Sequence, residues 1–76
     1  MDVKGAYSES RILVLSYFRE GGKVVGTEEC STEIEAFNFA KHQIRYYPYV
    51  EVALVSGMVN PWGYDIRHKE ILAVFK

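Results

Sequence analysis

One segment of this chain has the apolar spacing of an α-helix, and it lies between two pairs of strand-like runs. Thr32 to Glu35 fits a capping box, in which the Thr32 hydroxyl accepts from the third amide and Glu35 reaches back. Ser31 is a competing N-cap, and Pro48 is expected to end the helix. The apolar face of the helix carries Ala36, Phe37, Ala40, Ile44 and Tyr47. Because a single helix covers only one face of a sheet, few layouts are open to this chain.

The strand-like runs set the order of the elements. Residues 11–18 are apolar on both faces, as in a central strand, and residues 19–23 form a glycine-containing polar turn. Residues 23–27 return as the second strand, in which Gly26 marks a bulge. Residues 50–55 form the third strand, residues 58–64 are loop-like, and the last strand lies within residues 65–75.

These elements predict an α+β fold of order ββαββ. Short hairpins favour a four-stranded antiparallel sheet in the order 2-1-3-4, with the helix packed on one face. Residues 1–10 are expected to be a flexible lead-in, and residues 11–76 a single domain.

The second face of the sheet has no helix to cover it. We expect one set of strand residues to meet the helix, namely Leu13, Leu15, Val52 and Leu54. The second face then consists of Ile12, Val14, Phe18, Ala53 and Val55. An uncovered apolar face in so small a chain predicts homodimerisation, through that face or through an edge strand.

Composition narrows the class of protein. The chain has 76 residues, a net charge of −1 and 49% hydrophobic residues, and this composition argues against intrinsic disorder. No run reaches the roughly 18 apolar residues of a membrane span, so no membrane partner is expected. The first residues lack the apolar core of a signal peptide, which predicts a cytoplasmic location. The balanced charge also argues against a dedicated duplex-DNA binder.

The residues that carry chemistry in enzymes are scattered here. Cys30 precedes the helix, where a thiolate is favoured, but the glutamates around it oppose that charge. Cys30, His42 and His68 lack the paired spacing of metal ligands. Gly21-Gly22 joins two strands and is not a phosphate loop. The sequence therefore predicts a protein that is not an enzyme and has no metal or cofactor.

A protein contact explains more of the sequence. Trp62 lies in a Pro-Trp-Gly turn that suits an anchor residue, although its ring would equally close one end of the core. Met58 and Tyr64 flank it, and a polar rim follows at Arg67, His68 and Lys69. The alternative contact is the acidic helix start, which suits a basic partner and comprises Glu28, Glu29, Glu33 and Glu35.

Binding of single-stranded nucleic acid is the second functional hypothesis. Trp62 and Tyr64 would stack on bases, and residues 67–69 (Arg-His-Lys) would contact phosphates. With a net charge of −1, the attraction to phosphate must come from that local patch.

Three features together resemble a known group of proteins: the glycine hairpin, the run from Ser31 to Lys41, and Val50-Glu51-Val52. This layout, over residues 11–56, is similar to that of small single-helix α+β proteins encoded by phages and mobile elements, including several anti-CRISPR inhibitors. The resemblance implies a non-enzymatic inhibitor or adaptor that binds a host protein or complex. It assigns no site residue.

Overall fold

The fold is a four-stranded antiparallel sheet with one helix on one side. The structure, a computed structural model, describes residues 8–60 and 63–76, with the backbone alone at residues 8–9, 58–60 and 63–65. The elements are β1 (Ser8–Tyr17), β2 (Val24–Cys30), α1 (Glu33–Gln43), β3 (Tyr49–Asn60) and β4 (Gly63–Phe75). The strand order is β2-β1-β3-β4. The predicted ββαββ fold and strand order are confirmed.

The start of α1 is fixed by its cap. Thr32 has extended backbone angles, and its hydroxyl accepts from the Glu35 amide at 3.1 Å, as predicted. The Glu35 carboxylate accepts from the Ser31 amide at 2.7 Å rather than from Thr32. Thr32 is therefore the N-cap, and Ser31 provides the second amide that the cap satisfies.

The end of α1 differs from the prediction. The helix ends at Gln43, before Pro48 is reached, so Pro48 does not end it. The carbonyl of Gln43 accepts from the amides of both Tyr46 and Tyr47, at 2.8 and 3.0 Å. A bond that reaches back only three residues tightens the last turn, and the α-helix stops there.

The side of the sheet that carries α1, which we call the helix face, holds one core cluster. Its buried members are Val14, Val50 and Val52 on the strands and Ala36 and Ala40 on α1. All five residues predicted for the apolar side of the helix are in this cluster, buried or partly buried: Ala36, Phe37, Ala40, Ile44 and Tyr47.

The opposite side of the sheet, which we call the open face, holds a second cluster of buried residues: Leu13, Leu15, Tyr17, Ala53 and Val55. The predicted faces of β1 are therefore reversed, because Val14 faces the helix and Leu13 and Leu15 do not. Val14 pairs with Val52, and directly paired residues share a face. The prediction placed Val52 on the helix side and Val14 on the other side of the sheet, which the observed pairing does not allow.

The strands are longer than predicted. β1 begins at Ser8, so residues 8–10 pair with β3, and β2 continues to Cys30. The loop expected at residues 58–64 is wrong for most of its length, because Met58, Val59 and Asn60 pair with Asp65, Tyr64 and Gly63. Residues 1–7, Pro61 and Trp62 lie outside the described residues. Over residues 8–60 and 63–76, no helix is long and apolar enough to cross a membrane.

Loss of the Thr32 cap is expected to destabilise the protein. Thr32→Ala removes the acceptor for the Glu35 amide and should lower the free energy of unfolding by about 1 kcal/mol. Urea unfolding followed by circular dichroism measures this change. Ser31→Ala is the matched control, since Ser31 contributes its backbone amide to the cap. Equal losses in the two variants would contradict the assignment of Thr32 as the N-cap.

Candidate functional site

The open face contains a polar network toward the end of the sheet where β1 ends and β3 begins. The carboxylate of Glu51 accepts from the Tyr17 hydroxyl at 2.8 Å and from the Tyr49 hydroxyl at 3.2 Å. The Lys69 ammonium lies 3.0 Å from the same carboxylate and 3.4 Å from the Tyr17 hydroxyl. The two tyrosine rings meet edge to face, with centroids 5.3 Å apart. The network, defined as Tyr17, Tyr49, Glu51 and Lys69, joins β1, β3 and β4.

Tyr17, Tyr49 and Lys69 keep their protons near neutral pH. Burial raises the pKa of Tyr17, and its hydrogen bond to Glu51 raises it further. The pKa of Tyr49 is also raised, by burial and then by the charge of Glu51. Burial lowers the pKa of Lys69, but its bonds to Glu51 and Tyr17 outweigh this and leave it raised. Both tyrosines therefore remain donors and Lys69 a cation, so none of the three supplies an acid or base that titrates near neutrality.

Long side chains shield the apolar residues of the open face. Lys69 pairs with Val55, so its side chain must run along the face past Ala53 to reach Glu51. Such a stem covers apolar surface while its charged end stays polar. Arg11 and Glu29 form a second ion pair at 3.0 Å, between β1 and β2. In each of these two pairs a cation and a carboxylate neutralise each other.

Two β-bulges arrange the outer strand of this face. The register between β3 and β4 shifts between Val52 and Ala53 and again between Ser56 and Gly57. The residues added on β4 are Leu72 and Arg67. Each shift reverses the alternation of side chains, which brings one row onto the open face: Ile66, Lys69, Ile71 and Val74. The three apolar members of this row are 42–47% exposed.

Sequence reasoning missed this row. Plain alternation places Lys69 and Ile71 on one face but Ile66 and Val74 on the other. No glycine or proline marks the bulges on β4, and the sequence alone gives no register. One signal was detectable: the run from Ile71 to Phe75 is apolar at every position. A strand with one solvated face and regular alternation would instead have a polar residue at every second position.

The residues predicted as the protein contact are dispersed. Met58 and Tyr64 lie in the ladder between β3 and β4, where only their backbone is described, and Trp62 is outside the described residues. Lys69 belongs to the network on the open face. His68 pairs with Ser56, on the same side of the sheet as the helix face, and Arg67 lies at a bulge. Residues 67–69 thus do not share one face.

The acidic residues predicted as the alternative contact are also divided. Glu28 and Glu29 are in β2, paired with Val14 and Leu13, so they point to opposite faces. Glu29 binds Arg11, and Glu35 accepts from the Ser31 amide. Glu33 is in the first turn of α1. Two of the four carboxylates therefore have structural partners.

Cys30 packs partly buried against the helix-face cluster. Burial raises the pKa of its thiol, and the charges of Glu35, Glu28 and Glu29 raise it further. The predicted opposition between these glutamates and a Cys30 thiolate is confirmed for those three. In the part of the chain that the structure describes, no three residues of the metal-ligating types are grouped to hold an ion.

Comparison with protein-family models, curated proteins and solved structures finds no match for this chain.

The network predicts a loss of stability in alkali. Folded Tyr17, Tyr49 and Lys69 hold protons that the unfolded chain releases above about pH 10. The stability that these three groups contribute is fully present below their pKa values in the unfolded chain. It is lost as the pH rises through their pKa values in the folded protein. Urea midpoints between about pH 8 and pH 11.5 measure this fall, which should be smaller in Tyr17→Phe than in the natural chain.

Tyr46→Phe is the control for this experiment, because Tyr46 is exposed and outside the network. The stability of Tyr46→Phe should fall with pH in parallel with that of the natural chain. The Cys30 thiol contributes the same pH dependence of stability to every variant. If Tyr17→Phe loses as much stability in alkali as the natural chain does, ionisation of Tyr17 is not coupled to unfolding.

Proposed function

We propose that this chain is a non-enzymatic protein-binding module that acts in the cytoplasm and uses the open face of its sheet as the contact. Inhibition of a host protein complex, as the resemblance to phage and mobile-element proteins implies, is the use that we propose for this binding.

The observation that supports this proposal is the apolar row on β4 beside a network in which Lys69 and Glu51 are paired. Ile71 and Val74 are exposed beside Lys69 and Glu51, which neutralise each other, and Ile66 is exposed further along the row. Cores of protein interfaces are apolar and poor in unpaired charge, and this row has both properties. A face whose charges are already paired also loses little solvation when a partner covers it.

The network adds a second argument. Three donors hold the Glu51 carboxylate, so β1, β3 and β4 are fixed relative to one another before a partner arrives. A surface that is already ordered loses less conformational entropy on binding, which favours affinity. Met58, Trp62 and Tyr64 in the β3–β4 hairpin remain a proposed second part of the contact, with Arg67 at its rim. His68 lies on the helix-face side of the sheet and is left out of the open-face contact.

The row on β4 favours a protein partner over single-stranded nucleic acid. Its exposed side chains are aliphatic, whereas single-strand binding relies on aromatic stacking. Lys69 is also engaged by Glu51, which removes one cation from the basic patch at residues 67–69.

Ile71→Glu tests the proposed contact. A charge in the middle of the row should weaken capture of protein partners by about tenfold or more, because burying an unpaired carboxylate is costly. The measurement is quantitative mass spectrometry of proteins captured from lysate of the source organism. Ile34→Glu is the matched control, since Ile34 is 74% exposed on α1, away from the open face. Equal capture by Ile71→Glu and the natural chain would contradict the proposal.

The same variants test association of two copies, which we propose from the apolarity of both faces of β1. Light scattering at high micromolar concentration should give twice the chain mass of 8.7 kDa for the natural chain and for Ile34→Glu, and 8.7 kDa for Ile71→Glu. A natural chain of 8.7 kDa would contradict homodimerisation and leave only a different protein as the partner.

A further inference from the structure

A cleft of about 400 Å³ lies at the turn between β1 and β2. It is lined by Phe18, Arg19, Gly22, Lys23 and Val25. The Phe18 ring contacts that of Tyr47, which packs on the helix-face cluster, with centroids 5.6 Å apart. The cleft is therefore on the other side of the sheet from the open face.

The backbone of this turn shapes the cleft. The Gly22 amide donates to the Arg19 carbonyl at 3.1 Å, and Gly21 has φ of +80°, as at the third position of a type II turn. A Cβ on Gly22 would come within 2.9 Å of Arg19 Cγ, so glycine there leaves room for the Arg19 stem. The turn thus holds the Arg19 side chain over Gly22, at the edge of the cleft.

The β-bulge in β2 adds the apolar wall. Ser16 pairs with Gly26 but Tyr17 pairs with Val24, which leaves Val25 as the extra residue. A bulge redirects side chains, and Val25 lines the cleft with 45% of its surface exposed. Phe18 forms the other apolar side and is 66% exposed. Exposed rings and branched chains beside a preformed cavity are typical of a binding site.

Two cations, Arg19 and Lys23, line the cleft. Neither Arg19 nor Lys23 has an acidic partner within residues 8–60 and 63–76. The carboxylate in the same turn, Glu20, is paired with Lys76 at 3.4 Å. Two cations therefore flank an apolar cleft, an arrangement complementary to an apolar side chain with carboxylates next to it.

We infer that this cleft binds an acidic peptide segment of another protein, with an apolar side chain between Phe18 and Val25 and carboxylates on Arg19 and Lys23. This site is separate from the open face and does not depend on it. Aliphatic Val25 favours an apolar peptide side chain over a nucleic-acid base, which needs ring faces for stacking.

The inference is tested with synthetic peptides and fluorescence anisotropy. The probe is a labelled peptide with a central Phe-Leu pair and two glutamates on each side. It should bind the natural chain with a dissociation constant of about 100 µM. A peptide with lysines in place of the glutamates, and one with Gly-Gly in place of Phe-Leu, should each bind at least about tenfold more weakly.

Variants of the chain assign the site. Binding of the acidic peptide should be about tenfold weaker in Phe18→Ala. It should be weakened to the same extent in the double variant Arg19→Glu, Lys23→Glu, which should prefer the lysine peptide. Lys41→Glu is the control, because Lys41 is an exposed cation in the last turn of α1. Circular dichroism verifies that each variant folds.

Three results would overturn the inference: no binding of the acidic peptide up to about 1 mM, equal binding of the acidic and lysine peptides, or preferential binding of oligothymidylate at the cleft. The last would identify a site for single-stranded nucleic acid instead.

Discussion

The open face depends on the contacts of one buried carboxylate, that of Glu51. Glu51 is buried near the start of β3, and its carboxylate is bound by Lys69 and by the hydroxyls of Tyr17 and Tyr49. Removing a carboxylate from water costs several kcal/mol unless such partners surround it. The strands that supply the partners, β1 and β4, lie on either side of β3. The open face thus acquires a second small core, made of apolar residues enclosed by paired charges.

The two sides of the sheet offer different surfaces. On the open face Lys69 and Arg11 are paired with carboxylates and the exposed apolar side chains of β4 are aliphatic, which suits a largely apolar protein contact. At the β1–β2 turn, on the other side, Arg19 and Lys23 are exposed around an apolar cleft. In both places a β-bulge sets the position of an exposed apolar residue, at Val25 in β2 and at Ile66 and Val74 in β4.

Local signals in the sequence were enough for the helix cap, the glycine turn and the strand order. Thr32 and Glu35 act within one turn of each other, and Gly21 and Gly22 act within four residues. The faces of β1 were not predictable in this way, because they depend on which residue of β3 lies opposite Val14. The row on β4 depends on two bulges that no residue type announces, and the network joins residues that are distant in the chain. Register is a long-range property, and alternation within one strand does not contain it.

The most direct test of the network is a double-mutant cycle between Glu51 and Lys69, using Glu51→Gln, Lys69→Met and the combined variant. Urea unfolding at neutral pH gives the four free energies, and their coupling isolates the interaction between the two side chains. Lys69 is partly exposed, so solvent weakens the pair, and we predict a favourable coupling of about 1–2 kcal/mol. A coupling within about 0.3 kcal/mol of zero would show that the two residues act independently, and would contradict the claim that paired charges organise the open face.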